Sequence, residues 1–296
     1  MELNTEFHLI STMIETIVKD KKFLGSGFFY LEYGEKNQES PQWTAIKENW
    51  LVTNRHILLP KIEGKETVPD KINFYLRRIN ENKISWIPIE LNKKEFIERA
   101  KFHSDSSIDV GIVKILDIET ELLKKEIKKQ EQEKPDDKGP HRSNILQTMA
   151  MSKEKLPGNN KIKVEVSDDV IIIGYPQGFY DEKNIFPIVK SGIIASKWGA
   201  FFNGNPYFLI DAKLFPGSSG SLVLSKPTNV SIESGKVYTA AEKQFAFLGI
   251  FSGELYRERQ LEKDGRKIKI EEKFDVGAVW YGFLIDEIIY KGKPVA

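Results

Sequence analysis

The sequence predicts an all-β chain built as two β-barrels, with one helix before the first strand and a short one after the last. Three observations lead there. Short apolar runs of strand character recur on both sides of a charged connection, and Gly, Pro, Asn and charged clusters separate them. The amphipathic helices that a parallel sheet would need between its strands are missing.

Residues 7–18, FHLISTMIETIV, set Phe7, Ile10, Ile14 and Ile17 at helical spacing, which predicts an amphipathic helix lying on the body. From Gly25 the texture becomes β-rich, in GFFYLEY, WLVTNRHILL, KINFYLRRI and ISWIPIEL. The first barrel is therefore drawn to residue 116. Residues 117–160 form a charged insertion or linker, a mobile segment with a helical first part. Its polar character predicts that deleting most of Lys124–Asn159 leaves a folded core. Residues 161–296 supply the second barrel, in KIKVEVSDDVIIIGYP, FPIVKSGIIASKW, PYFLIDAKL, SLVLS, FAFLGIFSG and GAVWYGFLI. A second polar excursion spans Glu254–Lys273, and LIDEIIY reads as the closing helix.

Composition narrows the function. With 296 residues, 40% of them hydrophobic, the chain can bury a substantial core. Forty-four basic against 43 acidic residues leave a net charge of +1, which gives no global attraction to nucleic acid or to an anionic membrane. The run from Lys124 to Lys138 interleaves its lysines with acids and reads as a solvated linker. No cysteine is present, so packing alone must stabilise the fold. The acidic N-terminus does not read as a secretory signal and no long apolar run suggests a membrane span, so a soluble cytoplasmic protein is expected. Four scattered histidines without an H-E-x-x-H pattern, and no phosphate-binding glycine loop, predict neither metal nor cofactor.

One constellation carries chemistry. A serine attacking a carbonyl needs a neighbouring base, a carboxylate to orient that base and donors for the oxyanion. Ser219 lies in F-P-G-S-S-G-S-L, where flanking glycines permit a tight path that aims successive amides into one concavity, so the N–H groups of Gly217 and Ser219 are candidate oxyanion donors. His56 follows an apolar strand interrupted by Thr53, Asn54 and Arg55. Asp109 is a lone carboxylate at the mouth of an apolar strand, where it needs a partner. His8, His103 and His141 read as structural or exposed. An α/β-hydrolase elbow is excluded, because Ser221 stands where a glycine would be required after Ser219.

The chain resembles the trypsin-like peptidase family, in particular its bacterial HtrA-like branch without a PDZ module. The resemblance runs through L-G-S-G-F at Leu24–Phe28, T-N-R-H at Thr53–His56, D-V-G-I-V-K-I at Asp109–Ile115 and I-G-Y-P at Ile173–Pro176. It continues through S-G-I-I-A-S at Ser191–Ser196, D-A-K-L-F-P-G-S-S-G-S at Asp211–Ser221 and L-G-I-F-S-G at Leu248–Gly253. It implies two six-stranded antiparallel barrels of the chymotrypsin type, a His56–Asp109–Ser219 triad in the cleft between them, and a serine endopeptidase acting on a protein or peptide, by limited processing of a partner protein. It also implies that Ser252 supports the Asp109 carboxylate and that the Gly253 backbone pairs with an extended substrate.

The resemblance also implies that Lys213, six positions before Ser219, lies at the base of the primary pocket, with Glu254 at its rim. Three arrangements stay open: Lys213 turned inward to favour an acidic substrate side chain, Lys213 turned outward from a small apolar pocket, or Lys213 neutralised by Glu254. No activation-site amino terminus and no peptide-binding module after the barrels are expected, which leaves room for a separate regulatory partner. The alternative function is a catalytically inactive trypsin-fold binding module.

Overall fold

The computed structural model describes residues 3–36, 44–80, 83–133, 149–184, 186–233, 235–263 and 266–295. Helix α1 (Leu3–Ile10) is shorter than the helical spacing predicts, and Ser11–Val18 is instead strand β1. Tertiary pairing overrides the periodicity. Thr12, Ile14, Thr16, Ile17 and Val18 are β-branched and run antiparallel to β2 (Lys21–Lys36), from Ser11 opposite Phe28 to Val18 opposite Lys21. The hydroxyls of Thr12 and Thr16 donate to the carbonyls of Tyr75 and Ile57 at 2.9 and 2.7 Å.

The first half continues through β3 (Thr44–Thr53), α2 (Arg55–Leu58), β4 (Lys71–Asn80), β5 (Lys83–Asn92), α3 (Lys93–Arg99), β6 (Ala100–Phe102) and β7 (Gly111–Lys114). The strands lie in the order β6-β7-β3-β2-β1-β4-β5, in a nine-stranded sheet completed by Lys293–Pro294 on β6 and by β8 (Met151–Ser152), which runs parallel to β2. This ladder stays open. Between β5 and β6 the chain inserts α3, started by a reciprocal cap between Asn92 and Glu95, and α3 drives Phe96 fully into the first core.

The second half is a closed six-stranded barrel, made of β9 (Asp169–Gly174), β10 (Ile188–Ile194), β11 (Tyr207–Asp211), β12 (Leu222–Ser225), β13 (Phe247–Lys263) and β14 (Arg266–Tyr281). The ladder runs β9-β10-β11-β14-β13-β12. The polar excursion across Glu254–Lys273 is carried by strands: β13 and β14 outlast their barrel neighbours and remain paired, from Tyr256 opposite Lys273 to Lys263 opposite Arg266. Helix α5 (Leu284–Lys291) follows as predicted, burying Leu284, Ile285, Ile288 and Ile289. Among the described residues no helix is long and apolar enough to cross a membrane.

Several strands bury both faces, which explains why their sequences read as apolar runs and not as alternation. In β2, Phe28 faces a core shared by the two halves while Phe29 faces the core of the first half. Trp50 and Val52 of β3 join the shared core, and Leu51 joins the other. In β9 and β12, Ile173, Leu222 and Leu224 enter the shared core, whereas Ile172 and Val223 fill the second barrel. The halves are thus welded by apolar contact.

The expected insertion divides into unlike parts. Helix α4 (Leu116–Glu133) gives it the helical beginning, and residues 134–148, His141 among them, lie outside the described residues. The stretch after residue 148 is no polar connector: Met151 and Leu156, 2% and 8% exposed, belong to the shared core. A deletion of Lys124–Asn159 would remove both, so the expectation that the core survives it is corrected. Met151→Ala should lower unfolding stability by about 2–4 kcal/mol, whereas Lys128→Ala on the exposed side of α4 should stay within about 0.5 kcal/mol. Urea titration of both variants checks this.

Candidate active site

The apolar strand β3 ends at Thr53, and Asn54 then starts the single turn α2, which carries His56 out to solvent. Asp109 stands just before β7 between buried Ile108 and Val110. Its carboxylate grips His56 at two points: Oδ1 accepts the His56 backbone N–H at 2.9 Å, and Oδ2 lies 2.7 Å from Nδ1. The Asn54 amide donates to the Asp109 carbonyl at 2.8 Å and the Ser252 hydroxyl donates to Oδ2 at 2.6 Å. This contact orients the ring, and the tautomer that donates from Nδ1 to the carboxylate leaves Nε2 as an acceptor on the other side. The turn is braced by Arg55, which makes a bidentate pair with Glu66 at 2.7 and 2.8 Å and stacks over Phe102 at 4.9 Å. Hydrogen bonding from Arg55 holds the Glu66 carboxyl below its usual range.

Ser219 lies on the loop from β11 to β12. Its hydroxyl donates to the carbonyl of Ser252 at 2.6 Å and makes no hydrogen bond with His56. Ser252 therefore links the sites, with its hydroxyl on Asp109 and its carbonyl on Ser219. The loop depends on glycine at two points. Gly217 and Gly220 have φ of 82° and 83°, and a side chain would strike the Gln177 backbone at the first and the Ser26 carbonyl at the second.

Both candidate oxyanion donors are oriented by their own peptide planes. The carbonyls of Pro216 and Ser218 accept from the N–H groups of Gln177 and Ser221, at 2.9 and 3.0 Å. In a trans peptide the N–H points opposite the carbonyl, so Gly217 and Ser219 present their N–H groups to the other side of the loop. Among the described residues neither N–H has an acceptor.

The remaining predicted residues divide. Gly253 borders open space, since a Cβ there would meet nothing within 4 Å. Lys213 is exposed. Glu254 does not neutralise it, because its carboxylate pairs with Lys273 at 2.8 Å. His8 stacks on Phe186 at 4.5 Å, with its pKa lowered by burial and then by the Arg77 charge, and His103 sits 3.3 Å from Glu287. Among the described residues no three His, Asp or Glu side chains gather as metal ligands. A cavity of about 450 Å³ lined by Trp198, Phe201, Tyr281 and Phe283 shares no residue with this cluster.

Sequence reading missed Ser26, which is fully buried. Its N–H donates to the Ser219 carbonyl at 2.8 Å, and its hydroxyl donates to the Gly217 carbonyl at 3.2 Å and accepts from the Tyr175 N–H at 2.8 Å. Its own carbonyl takes the Thr53 hydroxyl at 2.6 Å. The L-G-S-G-F motif was the available signal, but a Gly-Ser-Gly string does not reveal a partner about 190 residues away.

A trypsin-like peptidase domain family matches residues 25–230. No curated protein matches the sequence significantly. Solved structures with similarity include the HtrA-type protease AlgW with a tripeptide, at 16% identity and a TM-score of 0.46, covering 97% of this chain and 60% of that one. The Rv3671c protease from M. tuberculosis in its active form has 14% identity and a TM-score of 0.43, with 99% and 85% of the two chains covered. Tobacco etch virus protease with product has 9% identity and a TM-score of 0.44, over 99% and 82%.

Ser26→Ala strands the Tyr175 N–H and the Gly217 carbonyl, so it should cost about 1–3 kcal/mol of stability. The expected readout is a lower urea midpoint with an unchanged slope.

Proposed function

The chain belongs to the trypsin-like peptidase family, and from that premise we propose that it is a serine endopeptidase with Ser219 as nucleophile, His56 as general base and Asp109 as the group that orients it. The observation that carries this reading is the double engagement of Ser252, which ties the carboxylate of the His56 pair and the Ser219 hydroxyl to one residue.

In this reading the resting Ser219 hydroxyl is parked on the Ser252 carbonyl. An extended substrate pairing with the backbone at Ser252 and Gly253 brings an N–H that competes for that carbonyl, and the freed hydroxyl turns to His56 Nε2. Ser219 Oγ bonds to the scissile carbonyl carbon as its proton passes to Nε2, while the N–H groups of Gly217 and Ser219 receive the developing oxyanion. The imidazolium then protonates the leaving amine, and water attacks the acyl-enzyme by the same route. Substrate contacts are assigned to Lys213, Ser252, Gly253 and Glu254. The biological reading is limited processing of a partner protein. Comparing new N-termini in cells carrying the parent or Ser219→Ala tests it.

Ser219→Ala should lower peptide hydrolysis by about four to six orders of magnitude without lowering stability, and should abolish labelling by a fluorophosphonate. Ser218→Ala should retain turnover. A Ser218 variant that loses labelling while Ser219→Ala keeps it would show the wrong serine has been named. Asp109→Asn should cut turnover by about four orders of magnitude, since an amide stabilises the wrong imidazole tautomer.

A further inference from the structure

Lys190 of β10 holds its ammonium against the loop that carries Ser219. Nζ donates to the backbone carbonyl of Lys213 and lies 4.5 Å from the centre of the Phe215 ring. The carbonyl of Phe215 in turn accepts the Ser218 N–H at 3.0 Å, one residue from the proposed nucleophile. Lys190 therefore reaches from β10 across the first residues of the loop, whereas the Lys213 side chain is exposed.

Substrate stereochemistry decides what that ammonium meets. If an acyl carbon sits at Ser219, its oxygen at the Gly217 and Ser219 N–H groups and its N–H at the Ser252 carbonyl, the side chain of that residue enters between two walls. One wall is Lys213–Gly217 and the other is Ser252–Glu254. Lys190 lies on the first wall and feels the charge of Glu254 on the second. The Glu254 carboxylate pairs with Lys273 at 2.8 Å and makes no ion pair with Lys190. Among the described residues neither Lys190 nor Lys213 has a carboxylate within ion-pair distance.

Resting on the endopeptidase reading, the geometry points to Lys190, backed by Lys213, as the determinant that selects an Asp or Glu side chain on the substrate residue preceding the cleaved bond. Burial first, and then repulsion from Lys213, hold the Lys190 pKa below the usual lysine value, while Glu254 pulls it back up. A substrate carboxylate would relieve that strain by a charge-assisted hydrogen bond, and a lysine or arginine in its place would meet two like charges.

The test uses peptides differing only in that residue, Glu, Gln, Ala or Lys, with parent, Lys190→Met, Lys190→Glu and the surface control Lys128→Met. Parent kcat/KM should favour Glu over Gln by about tenfold or more. Lys190→Met should collapse the ratio, Lys190→Glu should shift preference towards Lys, and Lys128→Met should leave the ratio unmoved. Binding is read independently of turnover, by fluorescence anisotropy of labelled peptides ending in Glu or Gln on Ser219→Ala carrying either Lys190 or Met at that position. Tighter binding of the Glu peptide that depends on Lys190 supports the inference even if no variant cleaves, which would sink the endopeptidase reading alone. Equal binding of the two peptides, dominant cleavage after Lys, or a Glu preference that survives Lys190→Met would overturn it.

Discussion

Ser26 is excluded from water, and each polar group it carries is paired with a partner elsewhere in the chain. Its partners come from three places: Thr53 in its own half, Tyr175 at the end of a strand of the second barrel, and the two loop carbonyls that flank Ser218. A buried polar group without a partner costs as much as a sizeable part of a domain's net stability, so these bonds tolerate no independent sliding of the halves. The cleft geometry is a consequence of the seam. The Gly217 and Ser219 carbonyls are held from the first half, and the Pro216 carbonyl is held from the second by Gln177, whose backbone adopts φ of 53° to offer its N–H.

A buried cation reinforces the same seam. Arg77 of β4 is 3% exposed, and its guanidinium donates to the Ser11 carbonyl at 2.6 Å and to the Tyr175 hydroxyl. Burial draws the Arg77 pKa down and raises that of Tyr175. Carbonyls of Leu9 and Ser11 and the Tyr175 phenol oxygen are among the acceptors around this charge, as a buried cation requires. Tyr175 thus connects Arg77 at its hydroxyl with Ser26 at its backbone N–H, two residues before the Gln177 turn. Apolar contact brings the halves together, while these polar contacts decide how they meet.

The candidate site residues, unlike the seam, were legible in the sequence because their signals are local. His56, Asp109 and Ser219 each stand in a short string whose oddity shows without a structure: polar residues ending an apolar run, a carboxylate heading one, a serine between glycines. The Ser252 hydroxyl on the Asp109 carboxylate followed from the resemblance. What stayed hidden is non-local. Ser11–Val18 satisfies helical spacing as well as strand alternation, and only pairing with β2 decides between them. Glu254–Lys273 read as a polar excursion, and only the pairing of its two polar strands shows that it continues the barrel ladder. Lys190 could not be singled out, since its meaning comes from an adjacent strand and a loop 25 residues on.

The doubly buried strands bear on how the chain finds its register. In a sheet with one wet face, a one-residue slip turns apolar side chains to water, and that penalty guards the alignment. In β2 and β3 a slip would exchange Phe28 for Phe29, or Leu51 for Val52, between two dry cores, so hydrophobicity discriminates poorly. Alignment must then be checked by groups that cannot be exchanged. The Thr53 hydroxyl on the Ser26 carbonyl is such a check, because a shift of one position sets a buried hydroxyl among apolar side chains. A mis-threaded chain would lose this contact together with the alignment of the Ser219 loop, so folding errors in these strands would surface as lost cleft geometry before they surfaced as exposed apolar surface.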